Sequence, residues 1–541
     1  MRRTWITHPR LGTGVIAIVA FCASLLVANW PLWTAPEPRF PGDLGDTRFI
    51  HYLLEHSWLW VARNPLHPLW SPPFYFPAQD TGAYSDIMVG LGVLYWPWRL
   101  MGTGPAMALS LWILACHALN FAAAWLILRR LLRFSPLATA AGALLFTLGS
   151  PRLNQLNHLQ FLPQFFVLMS LAGAIMLFQE PATERRAWLA VALTYSGIVL
   201  QLWSAYYYGW FLIFIYVLAG IWMTLVPSLR AAMIAMLRRH ARQLGVGALI
   251  SMLAMIPWAQ HYLAAAKLNP NESFEDIVGW VPRYQSWFYM GPQNWLYGHL
   301  MSPERFAAIP GWSNHEHRLG IGILTLLVAG IGLLSRIRNS WVLLTVLVSA
   351  TLVISSTLLP GDVAIWSLIF DWVPGASAVR TVTRIELMLL IPASLGIALS
   401  IEWLVRHRQT VIPIALMGLV VLEQGSDYST WRQQMGPQRA EAIADHIPAD
   451  CRSFYYSPEA NGPNTPDYPA WMYQIDAMWA GLYAEIPTVN AYGHNVPPGW
   501  DLAEPAIRMP GDADRITAAL AAWQTLHPDA APICHVRIPV P

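Results

Sequence analysis

The chain has 541 residues, 55% of them hydrophobic and only 12% charged, with a mean hydropathy of +0.39; soluble domains carry about 25% charged residues, so an ordinary soluble enzyme is excluded. Thirty-three Lys and Arg against thirty-one Asp and Glu give a net charge of +2, and Lys267 is the one lysine, so no basic surface for nucleic acid follows. The four cysteines, Cys22, Cys116, Cys451 and Cys534, have no CxxC spacing, which excludes a zinc, iron–sulfur or thioredoxin-type centre.

A hydrocarbon core of about 30 Å needs about twenty apolar residues in helix. The charge-free run Leu11 to Trp33 follows Met1-Arg2-Arg3 and lacks a small-residue cleavage site, so it is a retained first span with a Trp belt. Further runs are Pro105 to Leu128, Pro136 to Gly149, Phe161 to Phe178, Trp188 to Tyr206, Gly209 to Val226, Leu244 to Trp258, Leu319 to Leu334, Trp341 to Leu359, Leu387 to Trp403 and Val411 to Leu422. The fold class is an α-helical polytopic membrane protein of about eleven spans. Arg129/Arg130/Arg133, Arg185/Arg186, Arg230 to Arg242, Arg336/Arg338 and Arg406/His407/Arg408 fall at every second connection. With Arg2 and Arg3 they mark that side as cytoplasmic, so the N-terminus is cytoplasmic and the C-terminus extracytoplasmic. Ile87 to Met101 is short for a crossing and is assigned to an interfacial or re-entrant helix on the outer side.

The chain thus divides into a membrane domain, 1–424, with outer loops at 34–104, 260–318 and 360–383, and a tail, 425–541. The tail has helical stretches at Gln438 to Ile447 and Ala513 to Trp523 and strand-like runs at Ser453 to Tyr456 and Val536 to Val540, and reads as a small extracytoplasmic α/β domain. Cys451 and Cys534 lie in it, in an oxidising compartment under this topology, and are expected to bridge its two ends. Cys22 and Cys116 read as packing residues within spans.

In the first outer loop, Asp43 and Asp46 stand three apart in Phe40-Pro41-Gly42-Asp43-Leu44-Gly45-Asp46, at a membrane surface. Such a pair can hold a base or a divalent cation such as Mg or Mn; equally, Asp43 can cap a helix starting near Leu44. His158 and Gln160 lie in an outer turn, as sugar-lining residues or as a polar turn at the headgroups. Glu272 to Asp276 form a second acidic cluster, and Trp280, Trp287, Trp295 and Trp312 offer faces for sugar stacking or for the membrane interface. His315, Glu316 and His317 are ligand-type residues, but adjacent positions rarely point at one metal. Pro487 to Trp500, with Asn490 and Tyr492, is either an acceptor-recognition segment or a rigid loop packed on the membrane core.

A long first outer loop with an acidic pair, a multi-span core and an outer tail resemble the GT-C superfamily of membrane glycosyltransferases. The segment Pro374-Gly375-Ala376-Ser377-Ala378-Val379-Arg380-Thr381-Val382-Thr383-Arg384 resembles the arginine-bearing segment before a late span in the YfhO-like bacterial branch, departing from it at Thr383 and Ile385. Glu316-His317-Arg318-Leu319-Gly320 is similar to an acidic residue followed by Leu-Gly at a span start in that branch. The resemblance implies that a first-loop aspartate, Asp43 or Asp46, is the catalytic base or metal-contacting residue, and that Glu316, Asn490 and Tyr492 line the substrate site. Arg152, Arg318, Arg380 and Arg384 lie on the outer side, where the charge bias disfavours them. A guanidinium fork suits the phosphate of a polyprenyl-linked sugar donor; the other explanation is pairing with local acids, such as Arg384 with Glu386, or snorkelling. The implied function is sugar transfer from a lipid-linked donor to a glycan, lipid or protein acceptor on the outer face of the cytoplasmic membrane. A transporter or flippase of a lipid-linked glycan would place ionisable residues within spans, and the middle of most spans lacks them. A non-catalytic envelope assembly subunit is the third reading.

Overall fold

The computed structural model describes residues 9–62, 68–269, 272–459, 470–502 and 512–539; Arg2, Arg3 and the side chain of Trp312 lie outside the described residues. The eleven apolar runs all become helices: Pro9–Ala28, Pro105–Leu126, Pro136–Leu148, Phe165–Phe178, Glu184–Leu202, Tyr206–Leu225, Pro227–Leu268, Ile323–Leu334, Ser340–Ser356, Glu386–Arg406 and Val411–Gln424. Among the described residues, five helical stretches are long and apolar enough to cross a membrane, at 105–131, 159–178, 206–225, 227–268 and 382–406. The others are shorter or less apolar. Ile87 to Met101 breaks into the short helical pieces Val89–Gly92 and Trp96–Leu100, too short to cross.

Apolar side chains point outward along these helices, including Ile250, Met252, Leu253, Leu327 and Ile331, as hydrocarbon surroundings permit. Between helices there is no hydrophobic gain over lipid, so close approach of backbones holds the bundle. A Cβ on Gly332 would lie 2.0 Å from the Gly396 carbonyl, and one on Gly396 would lie 2.4 Å from that of Ala329, so Ile323–Leu334 and Glu386–Arg406 touch backbone to backbone. The Glu423 carboxylate accepts the N–H groups of Leu324 and Thr325, both at 2.8 Å, and so caps the helix Ile323–Leu334. The 42-residue helix Pro227–Leu268 leaves helical geometry at His240, which divides an arginine-rich first half from an apolar second half.

The tail, 425–541, holds the helices Met435–Ala444, Ala470–Ala484 and Asp512–Leu526 and the parallel strand pair Ser453–Pro458 and Ile533–Ile538. The helix Ala470–Ala484 has no counterpart in the expected elements. Cys451 and Cys534 are joined by a disulfide, with Cα atoms 5.8 Å apart. The tail packs on the long segment that follows the first helix. Arg39–Pro41 pairs antiparallel with Thr430–Arg432, and the buried Arg48 of the helix Asp46–Val61 forms an ion pair with the buried Asp476. The Trp523 indole donates to the Phe76 carbonyl at 2.9 Å.

Candidate active site

The acidic pair sits on a turn whose shape only glycine at position 42 permits. Gly42 has φ +87°, and a Cβ there would fall 2.3 Å from Thr47 Oγ1 and 2.8 Å from the Leu156 carbonyl. Gly45 donates its N–H to Asp43 Oδ1 at 2.9 Å, an Asx-type turn. The helix begins at Asp46, one residue beyond its Gly45 cap, and Asp43 bonds the N–H groups of both Gly45 and Asp46 at that start. Asp46 stands in that first turn, where the helix dipole favours a carboxylate.

Four other segments converge on Asp46. His158, from the turn after the short helix Ser150–Asn154, places Nδ1 3.4 Å from Asp46 Oδ2. Tyr492, from the tail, donates its hydroxyl to Asp46 Oδ1 at 2.9 Å. Glu316, from the 3-10 segment Gly311–His317, lies 3.1 Å from His158 Nε2 and accepts from the Gln155 amide at 2.9 Å. Arg384 Nη2 donates to Glu316 Oε1 at 2.7 Å and lies 2.8 Å from His158 Nε2. The Arg384 guanidinium is flanked by the rings of Phe161, at 4.8 Å, and Tyr207, at 5.2 Å. Its acid partner is therefore Glu316, not the neighbouring Glu386.

Electrostatics separate the carboxylates. Burial raises the Asp43 carboxyl, and the Asp46 charge raises it further, against the N–H groups of Gly45 and Asp46. Burial also works to raise Glu316, but the Arg384 guanidinium overcomes it and holds that carboxyl well below the usual range. Burial and the Asp46 carboxylate push the Tyr492 phenol up, so it remains a donor.

Sequence reasoning missed Asp86. It accepts the Tyr206 N–H at 2.6 Å, and burial pushes it up to about 6 against that N–H, Arg384 and the Gln160 side chain. An isolated aspartate between Ser85 and Ile87 carries no motif that marks it. The tyrosines at 206–208 were missed as well: Tyr206 donates to the Gly375 carbonyl at 2.8 Å, Tyr207 accepts the Thr381 N–H at 3.2 Å, and Tyr208 donates to the Phe161 carbonyl at 2.7 Å. They anchor the arginine-bearing segment against the turn that holds His158. Three consecutive tyrosines at a span entry were the available signal.

Other expected residues lie elsewhere. Arg152 is buried and donates to the carbonyls of Phe146 and Leu162 and to the Gln164 side chain, so it ties helix ends together. Asn490 is buried in the tail, bonded to Tyr456, Thr488 and Gln474. His317 turns away from Glu316, toward Ser286 Oγ at 2.8 Å and the Gly279 carbonyl at 2.9 Å. Arg318 is partly buried beside Tyr289. Arg380 lies over Trp280 at 5.2 Å, with Glu272 at 4.0 Å, and His494 reaches the same Glu272 at 3.1 Å. Tyr492 and His494, and Arg384 and Arg380, thus link two neighbouring clusters along the same two segments.

The expected divalent cation does not fit these residues. Asp46 is engaged by His158 and Tyr492, and no group of three or more His, Cys, Asp or Glu side chains is arranged to hold a metal among the described residues.

No family model and no curated protein matches the chain. Solved structures do. The oligosaccharyltransferase of Archaeoglobus fulgidus, in complex with Zn and sulfate, is similar over 88% of this chain and 62% of that one, with a TM-score of 0.50 at 13% identity. The same archaeon's enzyme with an inhibitory peptide and a dolichol-phosphate covers 91% of this chain and 65% of that one, at 0.48 and 10% identity. The arabinofuranosyltransferase AftD from Mycobacteria covers 84% and 30%, at 0.46 and 14%. The chain spans less than two thirds of the length of each of these three. The fold is that of a polytopic helical membrane protein, similar to that of the archaeal oligosaccharyltransferase, with a small tail domain containing strands.

Proposed function

We propose that the protein is a GT-C membrane glycosyltransferase that moves a sugar from a polyprenyl-phosphate donor to an acceptor on the outer face of the cytoplasmic membrane. The YfhO-like branch is proposed on its Arg380/Arg384 and Glu316 motifs. The observation that carries the reading is the convergence of a first-loop aspartate, His158, Glu316, Arg384 and Tyr492 from five distant segments around a partly buried carboxylate pair. A structural ion pair needs two partners, not five segments meeting beside a carboxyl whose proton affinity is raised.

In this reading one of the first-loop carboxylates takes the proton from an acceptor hydroxyl as its oxygen attacks the anomeric carbon. The bond from that carbon to the phosphate oxygen breaks, and its electron pair leaves with the lipid phosphate. Attack from the face opposite the leaving phosphate inverts the anomeric centre. With Arg384 bound to Glu316 and Arg152 to helix-end carbonyls, Arg380 and Arg318 would steady the departing phosphate, worth about 3–4 kcal/mol per well-placed donor. The proposed partners are the lipid-linked donor, membrane lipids and a glycan, lipid or protein acceptor. The test is glycan and glycolipid profiling of a deletion strain complemented with Asp43→Asn or Asp46→Asn. Loss of a glycan with normal protein levels is expected. An unchanged profile in both variants overturns the reading and leaves a lipid-linked glycan transporter or an assembly subunit.

A further inference from the structure

The contacts around His158 determine more than its membership of the site. A guanidinium only donates hydrogen bonds. Arg384 Nη2 lies 2.8 Å from His158 Nε2 and 2.7 Å from Glu316 Oε1, so Nε2 must be an acceptor. A proton on Nε2 would set two donors 2.8 Å apart, with no acceptor between them. The Nε2 to Glu316 distance of 3.1 Å is then the separation of two acceptors sharing the arginine's donors. With Nε2 unprotonated, the imidazole proton sits on Nδ1, which faces Asp46 Oδ2 at 3.4 Å. The other oxygen of Asp46 takes the Tyr492 hydroxyl at 2.9 Å. One oxygen of Asp46 thus takes a hydroxyl hydrogen bond and the other faces the ring N–H at 3.4 Å, whereas Asp43 is held by backbone N–H groups of Gly45 and Asp46.

We propose that His158 is a positioning residue, locked by Arg384 in its Nδ1–H tautomer, that together with Tyr492 holds Asp46 as a fixed carboxylate and leaves Asp43 to take the acceptor proton. The inference rests on the glycosyltransferase reading for the role of Asp43, but not for the tautomer. Asp46 supplies a stationary negative charge beside Asp43, and that charge raises the proton affinity of Asp43. Arg384 acts through His158 and Glu316, not on the donor phosphate. The chain of contacts runs from the arginine-bearing segment to the first loop, so two motifs far apart in sequence set one carboxylate's orientation.

The experiment has two arms. In the first, full-length protein with 15N-labelled histidine is placed in lipid nanodiscs, and the His158 signals are assigned by their loss in His158→Gln. A neutral ring protonated at Nδ1 is expected, and Arg384→Met should convert it to the Nε2–H form or a mixture. An Nε2–H or doubly protonated ring in the unaltered protein overturns the proposal, whatever the protein catalyses. In the second arm, transfer is measured for His158→Asn, whose amide can replace Nδ1–H, and His158→Gln, whose amide sits at the Nε2 position. The Asn variant is expected to keep kcat within about tenfold and the Gln variant to lose at least a hundredfold, with KM unchanged in both; equal losses overturn the positioning role. If the tautomer holds and no variant affects any glycan, the glycosyltransferase reading fails and the contact network stands.

Discussion

Removing Glu316 is the perturbation whose size follows most directly from the geometry. Its carboxylate is 2.7 Å from Arg384 Nη2, and the side chains are 4% and 10% exposed. Glu316→Ala leaves the guanidinium buried with no acid partner. The rings of Phe161 and Tyr207 remain, but they are present before and after and compensate nothing. Breaking a buried ion pair by deleting one side costs about 3–5 kcal/mol, while replacing both partners by apolar groups is often neutral. A double-mutant cycle of Glu316→Leu, Arg384→Met and the pair together is therefore expected to show a coupling of about 3 kcal/mol or more. The assay is SDS-induced unfolding of the full chain in mixed micelles, followed by the fluorescence of its 28 tryptophans. A coupling below about 1 kcal/mol, the value for exposed pairs, would refute the buried pair and the site built on it.

Gly42→Ala should abolish function and lower stability, because a Cβ meets Thr47 Oγ1 at 2.3 Å, whereas Gly104→Ala, with nothing within 4 Å, should behave as the unaltered protein in the same melting and activity assays. Asp476→Ala should cost about 3–5 kcal/mol by stranding the buried Arg48, read as faster limited proteolysis of the tail. Cys451→Ser should cost about 4 kcal/mol from loss of a cross-link between residues 83 apart, and reductant should have the same effect on the unaltered protein and none on the variant. Because burial and Asp46 raise the Asp43 carboxyl, the acid limb of kcat/KM should lie above the ordinary aspartate value of 3.8. A base works only when deprotonated, so activity falls as pH drops through that limb, and Asp46→Asn should move the limb downward in any residual activity; an upward shift contradicts the assignment. Reporter fusions after Phe134 and Asp427 should read cytoplasmic and extracytoplasmic, respectively.

The helices were legible because hydrocarbon demands long apolar runs and tolerates no exposed backbone polar groups. Their lengths were less so. Ile323–Leu334 is only 12 residues, because Gly322 at φ +88° stops it and Glu423 caps it from another helix, and the glycine is the local signal for the first but nothing local announces the second. Asp43, Asp46, His158, Glu316 and Arg384 were each legible as ligand-type residues on the expected outer side, but their convergence depends on pairings from 68 residues, Glu316 with Arg384, to 226, His158 with Arg384. Arg152 shows the reverse: an outer arginine suggests a phosphate, yet this one is buried and satisfies carbonyls at helix ends. Asn490 was singled out for its polar neighbourhood and instead holds the tail's interior together, since a buried amide must find partners.

The central claim is that the acidic pair transfers a sugar from a lipid phosphate. It is tested most directly with purified protein in nanodiscs, supplied with polyprenyl-phosphate sugars extracted from the deletion strain's membranes together with the remaining envelope fraction as acceptor. Mass spectrometry then follows the polyprenyl phosphate released. The unaltered protein should release free polyprenyl phosphate together with a glycosylated acceptor, and Asp43→Asn should release at least a hundredfold less. Equal release by the two, or donor that stays intact with both, would contradict the account.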